Sequence, residues 1–181
     1  GRKTANKKEM DHNFWSVNRP ERVSVASQII LNSGKTMVFT RTRHGADRAA
    51  KQLKNAGVEA VSIHGGKSQG QRNKSFDSFS KGQALALVAT DVAARGLDVE
   101  RIGLVINYDM PFDSEAYVHR IGRTGRAGRN GEAVLFVNPR ERHFLGNLER
   151  TVGQPIEQMD IPNNASINKS RLNRLHQRLI D

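Results

Sequence analysis

The chain has 181 residues, 36% of them hydrophobic, enough for one well-buried domain, and a formal net charge of +11 from 29 Lys and Arg against 18 Asp and Glu. Such a basic excess makes polyanions, nucleic acid or nucleotide first, the leading partners. The absence of cysteine excludes disulfides, thiolate metal sites and a cysteine nucleophile, and no apolar run nears the length of a membrane span or follows a signal-like start, so a soluble cytoplasmic protein with no membrane partner is expected.

In chain order, residues 1–13 are polar and carry Arg2, Lys3, Lys7 and Lys8, which reads as a basic flexible arm. Residues 14–17 form a short strand candidate. Pro20 suits the first turn of a helix running to about residue 32, where Gly34 stops it. Residues 36–40 are an apolar strand core of the kind that lies inside a parallel sheet. A helix over 47–56 closed by Gly57, a strand over 58–63, and a helix capped by Ser68 and ending at Gly82 come next. Strands are predicted over 85–89, 102–106 and 133–137, with a helix capped by Asp113 or Ser114 before the last. Pro139 opens a helix to about residue 152. Beyond it lies an irregular connection with Pro155 and Pro162, then a helix over 168–180. There Leu172, Leu175 and Leu179 form one stripe, with Arg171, Arg174 and Arg178 beside it as packed-helix exterior or nucleic-acid-binding extension. The division is therefore 1–13 arm, 14–152 domain, 153–181 connection and basic extension. Alternating strands and helices make an α/β fold, with a mainly parallel sheet and helices on both faces, the economical architecture.

Three loops follow apolar strands with polar, glycine-containing chain: Arg41-Thr42-Arg43-His44-Gly45, His64-Gly65-Gly66-Lys67-Ser68, and residues 90–98. They fall at the carboxyl ends of strands, where open α/β sheets bind ligands. A lone loop histidine such as His64 usually bonds the backbone, Thr90 and Asp91 are also good turn formers, and Asp98 has Arg95 and Arg101 as ordinary ion-pair partners. The most distinctive stretch is 119–131, where Arg120, Arg123, Arg126 and Arg129 recur every third residue with Gly122, Gly125, Gly128 and Gly131 in the same step. Guanidinium forks so crowded suit phosphate oxygens, and a helix with Tyr117, Val118 and Ile121 on its apolar face gives them a fixed point of departure. By contrast Ser33-Gly34-Lys35-Thr36 is no P-loop, because position 29 holds Ile29 where glycine is needed and the order of helix and strand is inverted. No acidic strand end suited to magnesium is present either.

These motifs together resemble the second, C-terminal RecA-like domain of a DEAD-box ATP-dependent RNA helicase. The resemblance rests on Met37-Val38-Phe39-Thr40-Arg41-Thr42 (motif IV), His64-Gly65 with Gln69-Gly70-Gln71-Arg72, residues 89–98 (motif V) and residues 119–126 (motif VI), four separated motifs in the family's order. It implies a RecA-like three-layer fold with Arg123 and Arg126 as arginine fingers on the ATP γ-phosphate and Asp98 on the ribose. It further implies Thr42, Gln69, Arg72 and Thr90 on the RNA backbone, and His119 and Arg120 as ties to the surroundings and the partner domain. The P-loop, the Asp-Glu-Ala-Asp motif and the magnesium ion would belong to the first, N-terminal RecA-like domain, so this chain is expected to be a monomeric half of an enzyme, inactive alone. A DNA helicase or translocase motor and a stand-alone RNA-binding module are the alternative readings.

Overall fold

The computed structural model describes residues 10–100, 102–125 and 131–159. Seven strands run parallel in one sheet: β1 (Met10–Ser16), β2 (Thr36–Thr40), β3 (Ala60–Ile63), β4 (Ala86–Thr90), β5 (Leu104–Asn107), β6 (Gly131–Val137) and β7 (Glu157–Met159). Their spatial order is β3-β4-β2-β5-β6-β1-β7. Helices α1 (Arg22–Ser33), α2 (Arg43–Asn55), α3 (Gln69–Ser80), α4 (Asp91–Arg95), α5 (Ser114–Ile121) and α6 (Leu145–Val152) cover its faces.

The two-residue period of the strands sorts their side chains between two cores. On one face Val38, Val88, Ile106 and Val134 meet Ala26, Ile30, Ala49 and Leu53 of α1 and α2. On the other, Met37, Phe39, Leu87 and Val105 pack with Phe79 of α3 and Ala94 of α4, and Ala133 and Leu135 pack with Tyr117 of α5 and Leu148 of α6. Strands β2, β4 and β5 are buried on both faces, which is why they read as unbroken apolar runs. The layers are held by side chains such as Phe39, each contributing about 1.5–3 kcal/mol on burial.

The helix signals operate as the sequence indicates. Pro20 lies in a short 3-10 turn leading into α1, and Gly34 ends that helix at φ 116°, a conformation side chains other than glycine rarely adopt. Ser68 caps α3 by accepting from Gln71 N at 3.1 Å, while the Gln71 side chain accepts from Ser68 N at 2.9 Å. Asp113, not Ser114, caps α5 through Ala116 N at 2.8 Å.

Several boundaries differ from the expected ones. The first strand begins at Met10, so residues 10–13 belong to the sheet and not to the arm; β1 is sandwiched between β6 and β7, and His12 bonds the Tyr117 hydroxyl at 2.8 Å. The connection after residue 152 contributes the short edge strand β7. Helix α2 starts at Arg43 because Thr42 accepts from Gly45 N at 2.9 Å. Ile102 is an isolated bridge to Thr124 and β5 begins at Leu104. Pro139 opens a 3-10 turn through Phe144 before α6 takes over. The predicted helix over 168–180, with Arg171, Arg174 and Arg178, lies outside the described residues.

Every strand presents its carboxyl end to one edge. From β2 the chain moves toward β3 and from its neighbour β5 toward β6, in opposite directions, and this is the switch point where such sheets bind ligands.

Candidate functional site: two clefts at the carboxyl edge

At the switch point Arg120, only 1% exposed, ties three elements together. Its Nε and Nη2 donate to the two oxygens of Asp91 at 2.7 and 3.0 Å, and Nη1 donates to the Asp109 carbonyl at 2.7 Å and to Asn107 Oδ1 at 3.3 Å. The guanidinium also lies 5.5 Å from the Phe39 ring centre. A buried cation persists only when paired and hydrogen-bonded, and Asp91, at the start of α4, meets that need with a bidentate contact. Its donors thus largely spent, Arg120 fixes the end of α5 against β4, β5 and α4.

One turn on, Arg123 reaches across to α4, donating from Nη1 to the Leu97 carbonyl at 2.6 Å and from Nη2 to the Ala94 carbonyl. Carbonyls at a helix end carry partial negative charge and make a natural rest for a guanidinium. The Thr124 hydroxyl donates to the Ile102 carbonyl, and Gly125 turns the chain at φ 72°. Gly131, at the start of β6, lies so close to this segment that a Cβ there would be 2.3 Å from Gly125 N and from Thr124 Oγ1. His119 is exposed, 3.8 Å from Glu115 one turn earlier, a surface pair of little energetic weight. Arg126 and Arg129 lie outside the described residues. Between α4 and α5, Asp91, His119, Arg120 and Arg123 line a cleft of about 410 Å³, with Phe112, 82% exposed, at its mouth.

A second cleft of about 340 Å³ lies between α3 and α4, where Gln69, Arg72 and Asn73 face Gly96, Leu97 and Asp98. Gln69 accepts from Arg72 Nη2 at 3.0 Å and donates to Asn73 at 2.9 Å, while Arg72 Nε is buried without a hydrogen-bond partner among the described residues. Asp98 therefore shares a cleft with Gln69 and Arg72, although Arg123 grips the carbonyl of its neighbour Leu97. Thr42 is exposed on the far side, above α2, whereas Thr90 is 7% exposed at the head of α4. His64 makes a backbone tie: Nδ1 accepts from Gly66 N at 3.0 Å, which places the proton on Nε2, 3.0 Å from Asp47. Burial pushes the Asp47 carboxyl up, but hydrogen bonds from Ser62 and His64 and the nearby Lys67 charge outweigh it and hold its pKa below the ordinary value of 3.8. Among the described residues no three His, Asp or Glu side chains converge as a metal site would require.

The acids Asp91 and Asp109 and the amide Asn107 are not legible in the sequence as partners of the arginine run. A helix-end arginine facing the core needs a carboxylate, and Asp91 directly after Thr90 is the one signal that points to it.

The family model for the helicase conserved C-terminal domain matches residues 21–128, more than half of the chain. The chain belongs to this family. Among curated relatives the ATP-dependent RNA helicase DeaD of Buchnera aphidicola is 44% identical over 144 residues, 80% of this chain and 24% of the relative. The solved E. coli DEAD-box protein SrmB, bound to regulator of ribonuclease activity A, superposes with TM-score 0.79 at 32% identity, covering 84% of this chain and 91% of that one. S. cerevisiae Dbp5 bound to RNA and ADP BeF3 superposes with TM-score 0.78 at 27% identity, covering 93% and 46%. The fold is RecA-like, and the domain is that of the C-terminal half of DEAD-box RNA helicases. It spans about a quarter of the length of the DeaD relative.

Proposed function

We propose that this domain is the arginine-donating and RNA-tracking half of an ATP-dependent RNA helicase, working against nucleotide held by an N-terminal RecA-like domain of the same protein. The observation that carries the reading is the Arg120–Asp91 tie, which fixes the helix end from which Arg123 departs, at the rim of the α4/α5 cleft. Charge spreading over a γ-phosphoryl group in flight calls for preorganised cations. Arg123 lines the cleft with a planar fork, and charge-assisted bonds from such a fork to an anion are about twice as strong as those to carbonyls like Leu97 and Ala94. Arg126 is proposed as the second finger and Asp98 as the ribose contact. His119, exposed at the cleft, is assigned to the interdomain contact.

Thr42, Gln69, Arg72 and Thr90 are proposed contacts to the RNA backbone. Phosphate and 2′-hydroxyl recognition needs donors on a fixed frame and reads no sequence. The Arg72 side chain lining the α3/α4 cleft and the exposed Thr42 fit that role, and the likeness to Dbp5 solved with RNA and ADP BeF3 supports it. Thr90, mostly buried, would act through a small part of its surface. The test is reconstitution. Alone, the chain is expected to hydrolyse no ATP above background; joined through a linker to a P-loop-bearing domain of the family, RNA-stimulated turnover appears. Stimulated turnover by the chain alone would refute the division of labour.

A further inference from the structure

Thr42 also lines a third hollow, of about 280 Å³, on the α1/α2 side of the carboxyl edge. Four arginines surround it: Arg19 and Arg22 at the entrance to α1, Arg41 after β2, and Arg48 on α2, with His44 beside them. Two acids are present, one paired with an arginine and one bonded only to the backbone, so the four guanidinium groups outnumber the carboxylates by two. Asp109 holds Arg22 at 2.5 Å and accepts the Arg41 backbone N–H at 2.8 Å, and Glu141 accepts the Asn138 backbone N–H at 3.2 Å. Arg22 is thereby neutralised. Arg41 donates to the Met110 carbonyl, which leaves its charge uncompensated, and Arg19 and Arg48 are exposed with no ion pair among the described residues. Packing does not need three such guanidinium groups facing one hollow, and a concave surface concentrates their potential.

We infer that this hollow seats a backbone phosphate of the RNA strand, one step beyond the contact at Thr42. Planar forks suit phosphate oxygens, and guanidinium groups outnumber carboxylates around the hollow. It offers no platform for a base: Tyr108 is 3% exposed, and the Arg22 guanidinium covers its ring at 4.2 Å. The site therefore recognises backbone and not sequence. This inference rests on the assignment of Thr42 to the RNA backbone, and it lengthens the RNA track from the α3/α4 cleft to the mouth of α1.

The experiment is a length and salt series of oligouridylate binding to the 181-residue chain by fluorescence anisotropy, comparing the native sequence with the Arg19→Gln, Arg48→Gln double variant. Both side chains are exposed, and an unchanged melting temperature checks that the fold persists. With long RNA the variant is expected to bind at least about fivefold more weakly, with a salt slope shallower by roughly 0.7 for every single-strand phosphate it no longer touches. With oligonucleotides too short to pass Thr42, the two proteins should bind alike. Equal weakening at all lengths would overturn the inference in favour of a diffuse charge effect. Unchanged binding at every length would overturn it too, and capture of polyglutamate by the native chain but not the variant would then assign the hollow to an acidic protein. Failure of Arg72→Gln to weaken binding at any length, with the double variant still weakened as expected, would instead refute the RNA track proposed above and leave the phosphate seat standing.

Discussion

Replacing Asp91 by Asn should destabilise the domain out of proportion to the removal of one surface-touching acid. The Arg120 side chain is 1% exposed and takes both Asp91 oxygens, whereas Asp91 itself is 28% exposed. Removing one member of a buried pair strands the other charge at a cost of about 3–5 kcal/mol, and the partial exposure of Asp91 places the effect near about 3 kcal/mol. Asparagine keeps one acceptor oxygen, so the hydrogen bond at Nε survives while the compensating charge does not. In a domain of this size about 3 kcal/mol corresponds to a drop in Tm of roughly 6–12 °C. Urea denaturation followed by circular dichroism reads it as a lower midpoint at unchanged slope. Asp98→Asn, at an exposed acid with no ion pair among the described residues, serves as the control and should shift stability by about 0.5 kcal/mol or less. A destabilisation below about 1 kcal/mol in Asp91→Asn would refute the view that this pair anchors the end of α5.

Gly131→Ala pushes a Cβ into Gly125 N and Thr124 Oγ1, both at 2.3 Å, and should cost about 1–3 kcal/mol in urea unfolding; a neutral result would mean the turn carrying Arg123 is slack. The depressed pKa of Asp47 contributes stability that is present above the unfolded-state value near 3.8 and lost as pH falls through the folded value, so Asp47→Asn should flatten the acid limb of a stability–pH curve below about pH 4, and an unaltered limb would count against the Ser62–Asp47–His64 network.

Whether a feature of the fold can be read from the sequence depends on whether the force behind it is local. Strands β2 and β4 announce themselves as apolar runs because both faces are buried, and Ser68, Asp113 and Gly34 mark helix ends through bonds spanning three or four residues. The polar start of β1 has no such signature: Asp11, His12 and Asn13 are ordered by ladders to β6 and β7 and by Tyr117, 105 residues away in sequence from His12. The three-residue β7 is an edge strand with a polar sequence, fixed by its neighbour and not by propensity. At the site, motif order locates Arg120 and Arg123 on the chain but not their division of labour, because Arg120 is set apart only by Asp91, Asn107 and Asp109 converging from two other strand ends. The arginine hollow is invisible in the sequence for the same reason, since Arg19, Arg41 and Arg48 meet only when α1, β2 and α2 are brought to one edge.

The central claim, that Arg123 acts on the transferred phosphoryl group, is tested most directly by single-turnover ATP hydrolysis at saturating RNA in the protein where this domain is joined to its P-loop partner. Arg123→Ala should slow the chemical step by about 10³–10⁵, the range of an arginine finger, with nucleotide affinity held within about tenfold. Arg123→Lys should recover little, since a point charge cannot reproduce the fork, and Arg129→Ala, beyond the matched motif, should keep most activity. Hydrolysis at the native rate in Arg123→Ala, or an equal collapse in Arg129→Ala, would contradict the account.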